Sequence, residues 1–131
     1  MTYQIKMGTD GILRASFYGD VDEFDMDGYW RDLRPYLDAA TQDAPVQLIT
    51  DTSGTRGYTR EARQNLISIN KDPRIGKTAI LGANQITRVL VHFIHIASQR
   101  ENMRLFNQED EAIGWLKNQN GYRPTQDSST S

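Results

Sequence analysis

Tyr3, Ile5 and Met7 alternate with polar neighbours, Gly8-Thr9-Asp10-Gly11 supplies turn residues, and Ile12 to Tyr18 alternates again, so the first eighteen residues predict an antiparallel hairpin. Gly19 and an acidic loop from Asp20 to Asp27 then lead into helical spacing, with Tyr29 or Trp30, Leu33 and Leu37 on one stripe and Asp25 or Asp27 as the cap. Pro35 falls inside that stripe, which predicts a kink or a restart near Leu33. Val46 to Ile49 is a short apolar run, as expected of a strand buried on both faces. From Tyr58 to Asn70, Ala62, Leu66 and Ile69 form a second helical stripe with Thr59 as N-cap and Asp72-Pro73 as the stop. Ile75 to Gly82 reads as a strand, Asn84 or Gln85 opens a third helix through about Gln99, and Met103 to Phe106 reads as a last strand. The final helix spans Asn107 to Leu116, with acids in its first turn and Ala112, Trp115 and Leu116 on its packing face.

This alternation predicts an α/β fold, with parallel pairing and right-handed crossovers. The expected architecture is a single domain over residues 1–117: a five-stranded mixed, mostly parallel sheet with an N-terminal antiparallel hairpin and four helices. A polar tail, 118–131, follows, frayed from Pro124 to Ser131. A chain of 131 residues suits one hydrophobic core. Its 37% hydrophobic and 24% charged residues fit neither a disordered nor a fibrous protein. The longest nearly apolar run, Val89 to Ala97, contains His92 and His95 and is far shorter than the roughly 18 to 20 residues of a membrane span. The N-terminus lacks the basic patch and apolar core of a signal peptide, and a cytoplasmic location is expected. Zero cysteines exclude disulfides, thiolate chemistry and cysteine metal sites, and a net charge of −2 offers no field for nucleic acid.

Candidate chemistry concentrates after Val46 to Thr50. That strand's carboxyl end delivers Asp51, Thr52, Ser53 and Gly54 into a loop, on the edge of an open α/β sheet where ligands and partners dock. Ser53 is the candidate phosphoacceptor, since a phosphate at a helix start would meet free N–H groups; the alternative is that Asp51, Thr52 and Ser53 only cap the loop. Arg56, Tyr58, Arg60 and Arg63 complete the proposed docking loop, with the arginines either receiving a small anion or pairing with Glu61 and the acidic segment. The acids Asp20 to Asp27 lack the loop glycine and terminal glutamate of an EF-hand, and cap formation explains them better than calcium. His92 and His95 have no third ligand on their helix and read as packing or interface residues; no metal or cofactor is implied. The third helix has little polar circumference, so a homodimer or partner surface including Val91, Ile94 and His95 is expected.

The element order resembles the SpoIIAA-like proteins of the STAS/SEC14-type fold. So do Gly19-Asp20-Val21 after the hairpin, Asp51-Thr52-Ser53-Gly54 after the third strand, and Phe106-Asn107-x-x-Asp110-Glu111-Ala112-x-x-Trp115-Leu116 at the end. The likeness covers residues 3 to 117. In anti-sigma factor antagonists a helix-opening serine in an Asp-Ser-Ser-Gly loop is phosphorylated by a kinase partner, and the resemblance places Ser53 there. Thr55-Arg56-Gly57-Tyr58 departs from the aliphatic helix start of those proteins and looks like the uncharacterised branch. The resemblance thus implies a non-catalytic regulatory or protein-interaction module. A carrier or sensor of a small apolar or anionic ligand is the alternative. An enzyme is third, since hydrolysis would need a base beside Ser53 and neither histidine is near it in sequence.

Overall fold

The computed structural model describes residues 2–41 and 43–117, so the expected tail lies outside the described residues. Strands β1 (Tyr3–Met7) and β2 (Leu13–Val21) form the antiparallel hairpin. Then follow α1 (Glu23–Asp38), β3 (Val46–Tyr58), α2 (Arg60–Asn70), β4 (Ile75–Leu81), α3 (Gln85–Ser98), β5 (Met103–Phe106) and α4 (Glu109–Lys117). The sheet order is β1-β2-β3-β4-β5, antiparallel at the first pair and parallel at the rest. The fold is therefore the predicted α/β domain with a five-stranded mixed sheet.

Strand alternation divides the core between two faces. Leu13, Ala15, Phe17 and Leu48 face α1 and α2, packing against Met26, Leu33, Leu37 and Ala62. Thr50, Thr78 and Ile80 continue that face beneath Leu90, Val91 and Ile94 of α3. Ile49 and Ala79 point the other way, against Ala112 and Leu116 of α4. Three helices thus cover one face and one helix covers part of the other.

Local chemistry sets the boundaries. Asp22, not Asp25 or Asp27, caps α1: its carboxylate accepts from the Asp25 N–H while the Asp25 carboxylate accepts from the Asp22 N–H, both at 2.9 Å. The acidic segment is therefore strand end, cap and first helical turn rather than a loop. α1 also runs unbroken through Pro35. That residue is exposed in the last turn, so the carbonyl deprived of its donor lies on the solvent side. Thr59 caps α2 and Asn84 caps α3 as the sequence suggests. At the opposite end of the sheet, the buried Asn70 and the half-buried Asn102 exchange amide hydrogen bonds of 3.0 Å in both directions. Asn102 also donates to the Gly76 carbonyl at 2.8 Å, which locks the end of α2 onto β4 and β5.

Candidate functional site

β3 does not leave the sheet at Thr50. It runs on to Tyr58, seven residues beyond Asp51, its last residue paired with β4. Residues Asp51 to Gly54 are therefore strand and not loop, because β2 also continues, to Val21, and supplies a ladder. The continuation is bulged. Between the pairs Ser16–Asp51 and Tyr18–Gly54 β3 carries one more residue than β2, and it does so again between Gly19–Thr55 and Asp20–Gly57. The segment rich in glycine and hydroxyls that reads as a loop is thus a doubly bulged strand.

The bulges sort the side chains. Thr52 and Thr55 turn inward, each 3% exposed: the Thr52 hydroxyl donates to the Leu81 carbonyl at 2.9 Å, and Thr55 donates to the Phe17 carbonyl at 3.1 Å. Ser53, Gly54 and Arg56 turn outward. Both the N–H and the hydroxyl of Ser53 donate to one oxygen of Asp51, at 2.9 and 2.6 Å. Gly82, at φ +67°, lies against Ser53, and Asn84 holds the strand from the far side by donating to the Thr55 carbonyl at 3.0 Å. Ser53 thus sits exposed at the carboxyl end of the sheet, oriented by a carboxylate.

The basic residues do not converge on it. Arg56 pairs with Asp20 at 3.0 Å, and Arg63 donates to the Tyr58 carbonyl at 2.9 Å. Arg60, exposed at the start of α2, forms no ion pair among the described residues. Tyr58 is half-buried, its hydroxyl 3.0 Å from that of Thr87, and burial raises its pKa. α2 begins at Arg60, so Ser53 does not open a helix and the helix N–H groups expected around it belong elsewhere.

A family model described as a domain of unknown function, DUF7793, matches residues 6–120. The chain belongs to the DUF7793 family. No curated protein matches it. Among solved structures, this DUF7793 domain is similar to an uncharacterized DUF3478 protein with a SpoIIAA-like fold from Shewanella loihica PV-4, with a TM-score of 0.67 at 16% identity, covering 87% of this chain and 91% of that one. It is also similar to the anti-sigma factor antagonist SpoIIAA in its unphosphorylated form (TM-score 0.64, 15% identity, 88% and 97% covered). An anti-sigma factor antagonist from Mycobacterium paratuberculosis gives a TM-score of 0.63 at 15% identity, with 88% and 93% covered. The domain therefore has the SpoIIAA-like fold.

The residues expected to form an interface on α3 are engaged within the fold. Val91 and Ile94 are 7% and 2% exposed and face the sheet, while the ring Nε2 of His95 accepts from the Met103 N–H at 3.3 Å and braces β5. The large apolar side chains that the DUF7793 helix leaves in solvent are Ile86, Val89, Phe93 and Ile96. Between α2, α3 and the sheet lies a cavity of about 60 Å³, lined by Leu66, Ile69, Leu90 and Ile94 with Thr50 and Thr78. That is room for about two waters. Among the described residues no three His, Asp or Glu side chains group as a metal site, and no helix is long and apolar enough to cross a membrane. Sequence reasoning missed Tyr18, Gly82 and Asp20 as parts of this rim; a glycine ending the Ile75 to Leu81 run was the one available signal.

Proposed function

We propose that this DUF7793 domain is a non-catalytic, cytoplasmic regulatory module that docks a protein partner through the rim formed by Asp51, Ser53, Arg56 and Arg60, with Ser53 as a phosphoacceptor. The observation that carries the reading is the hydroxyl of Ser53, exposed on a strand overrun and held at 2.6 Å by Asp51. The fold supports it, since SpoIIAA, a structure of the same fold, is known in an unphosphorylated and a phosphorylated form.

The mechanism would differ from one based on a helix start. A phosphate on Ser53 brings a charge of about −1.5 to −2 beside the Asp51 carboxylate. Esterification removes the hydroxyl proton and with it the Ser53 Oγ–H bond to Asp51, while repulsion between phosphate and carboxylate opposes the remaining N–H bond and drives the side chain away from the strand, so the switch acts by expulsion rather than by capture at a helix dipole. Neither histidine contacts Ser53: His95 is engaged with β5, and His92 lies on the outer side of α3. The cavity beneath α2 and α3 is too small for a lipid chain, which favours docking over ligand carriage.

Pull-downs comparing the natural chain with Ser53→Ala and Ser53→Asp test this. The expected result is a partner retained by Ser53→Ala and lost by Ser53→Asp. Retention of every partner by both variants removes the switch.

A further inference from the structure

We infer that the crevice between α1 and α2 is a binding site for a small primary alkylammonium ion, separate from the Ser53 rim and from the cavity beneath α3. The crevice has a volume of about 200 Å³ and is lined by Met26, Asp27 and Trp30 of α1 and by Asn65, Ser68 and Ile69 of α2. That exceeds the roughly 150 Å³ of a protein cavity that holds a benzene ring. Each helix contributes an i, i+4 pair, Met26 with Trp30 and Asn65 with Ile69, so two facing stripes make the walls.

The lining divides by chemistry. Met26 belongs to the core, and the half-buried Trp30 and Ile69 pack against it, which gives an apolar floor and one aromatic wall. Asp27, Asn65 and Ser68 supply the polar groups. None of these three side chains makes a hydrogen bond or an ion pair among the described residues. A carboxylate, an amide and a hydroxyl therefore converge on one apolar crevice with their bonding capacity unspent.

Charge sets the sign of the ligand. At about 100° per residue, Glu23 and Glu61 fall on the same two stripes, one turn nearer the helix starts. Arg60 and Arg63 lie on the opposite side of α2, and Arg63 is turned to the Tyr58 carbonyl. The first cation along the α1 stripe, Arg34, is a turn beyond Trp30. The end of the crevice at Asp27 is thus anionic. A cation seated there meets the carboxylate and the face of Trp30, the aromatic side chain that attracts positive charge best.

The acceptors set its class. The Asp27 carboxylate, the Asn65 amide oxygen and the Ser68 hydroxyl are three acceptors, the number of N–H donors on a primary ammonium group. A quaternary ammonium has no N–H donor and is held by cages of several rings, so it would leave Asn65 and Ser68 unused. The alkyl chain of a primary amine then rests on Met26 and Ile69.

The chain has two tryptophans, and Trp115 lies under Lys77 with the cluster on the other face of the sheet, so the Trp30 indole N–H is a local reporter. In proton–nitrogen correlation spectra of the full-length chain at fixed ionic strength, n-butylammonium chloride should shift the Trp30 signal saturably, with a dissociation constant on the order of millimolar, and leave Trp115 in place. Trp30→Phe identifies the shifting signal by its loss. n-Butanol and sodium butyrate, with the same chain and a neutral or negative head, should bind at least about tenfold more weakly, and tetramethylammonium should also bind more weakly. Asp27→Asn, at an exposed position, should weaken n-butylammonium about tenfold or more with an unchanged circular dichroism spectrum. A free amine and a protein lysine carry the same head group: n-butylammonium binding tighter than Nα-acetyl-lysine methylamide supports the free amine, and the reverse order overturns it in favour of a lysine side chain. An equal response to n-butanol, tighter binding of tetramethylammonium, unaltered affinity in Asp27→Asn or no saturable shift at Trp30 would each overturn the proposal.

Discussion

Gly82 and Ser53 touch backbone to backbone: a Cβ built on residue 82 would lie 2.5 Å from the Ser53 Cβ and 2.9 Å from its Cα. No side chain fits there, and φ of +67° is itself a conformation that suits glycine. The end of β4 thereby fixes where the bulged part of β3 can lie. Gly82→Ala should lower unfolding stability by about 3 kcal/mol, combining the left-handed backbone with the clash. Urea denaturation measures it, and a change below about 0.5 kcal/mol would mean that β3 moves aside freely.

Thr52 and Ser53 are neighbours with opposite roles. Thr52→Val removes a buried hydroxyl from the Leu81 carbonyl and should cost about 1 to 2 kcal/mol. Ser53→Ala, at an exposed position, should cost less than about 1 kcal/mol. Paired chemical-denaturation curves check the contrast, and equal losses would contradict the inward and outward sorting by the bulge.

The ion pair between Arg56 and Asp20 joins side chains that are 75% and 72% exposed. Arg56→Ala should leave stability within about 0.5 kcal/mol. Any partner lost by this variant in a pull-down is then a loss of docking surface rather than of fold.

Asn102→Ala leaves both amide ends of the buried Asn70 without their principal partner and frees the Gly76 carbonyl. The expected cost is about 2 to 3 kcal/mol, read as a lower thermal midpoint. A shift of under a degree would show that water substitutes fully for the amide pair.

Asp72 is held below the ordinary carboxyl value of 3.8, chiefly by hydrogen bonds from the Arg74 side chain, which also reaches Asp38 at the end of α1. Because the folded value is depressed, the stabilisation is fully present above the ordinary carboxyl range and is lost as pH falls through 3.8 and below. Asp72→Asn should make that part of the stability-versus-pH curve less steep, the remainder of the acid limb belonging to Asp10, Asp25 and Asp32, while leaving the slope near neutrality unchanged. An acid limb of unchanged steepness in the variant would place the whole titration on those other carboxylates.

Element order was legible because each strand and helix carries its own period, and Thr59 and Asn84 announce their helices in residue type alone. Two features were not legible, for physical reasons. Asp51 to Gly57 is rich in hydroxyls and glycine, a composition shared by loops and by bulged strands; only the length of β2 decides between them, and that is a property of another segment. The phase of α3 was hidden because two of the residues it buries, Thr87 and Ser98, are polar. Tyr58 satisfies the first and Asn70 the second, so the helix turns Ile86, Val89, Phe93 and Ile96 to solvent while these polar groups go inward. Pairings of that kind depend on side chains some thirty positions away. The same separation explains why Ser53 could be singled out while the glycine that confines it was overlooked.

Past Asp51 the third strand has a ladder neighbour on one side only. Its amides between Ser53 and Gly57 should therefore exchange with deuterium through a local opening that costs less than global unfolding, independently of the core around Leu13 and Leu33. Whatever engages this edge adds its own binding free energy to that opening, about 2.7 kcal/mol when present at a hundred times its dissociation constant. Slowed exchange confined to five consecutive amides would reveal a bound molecule before its identity was known.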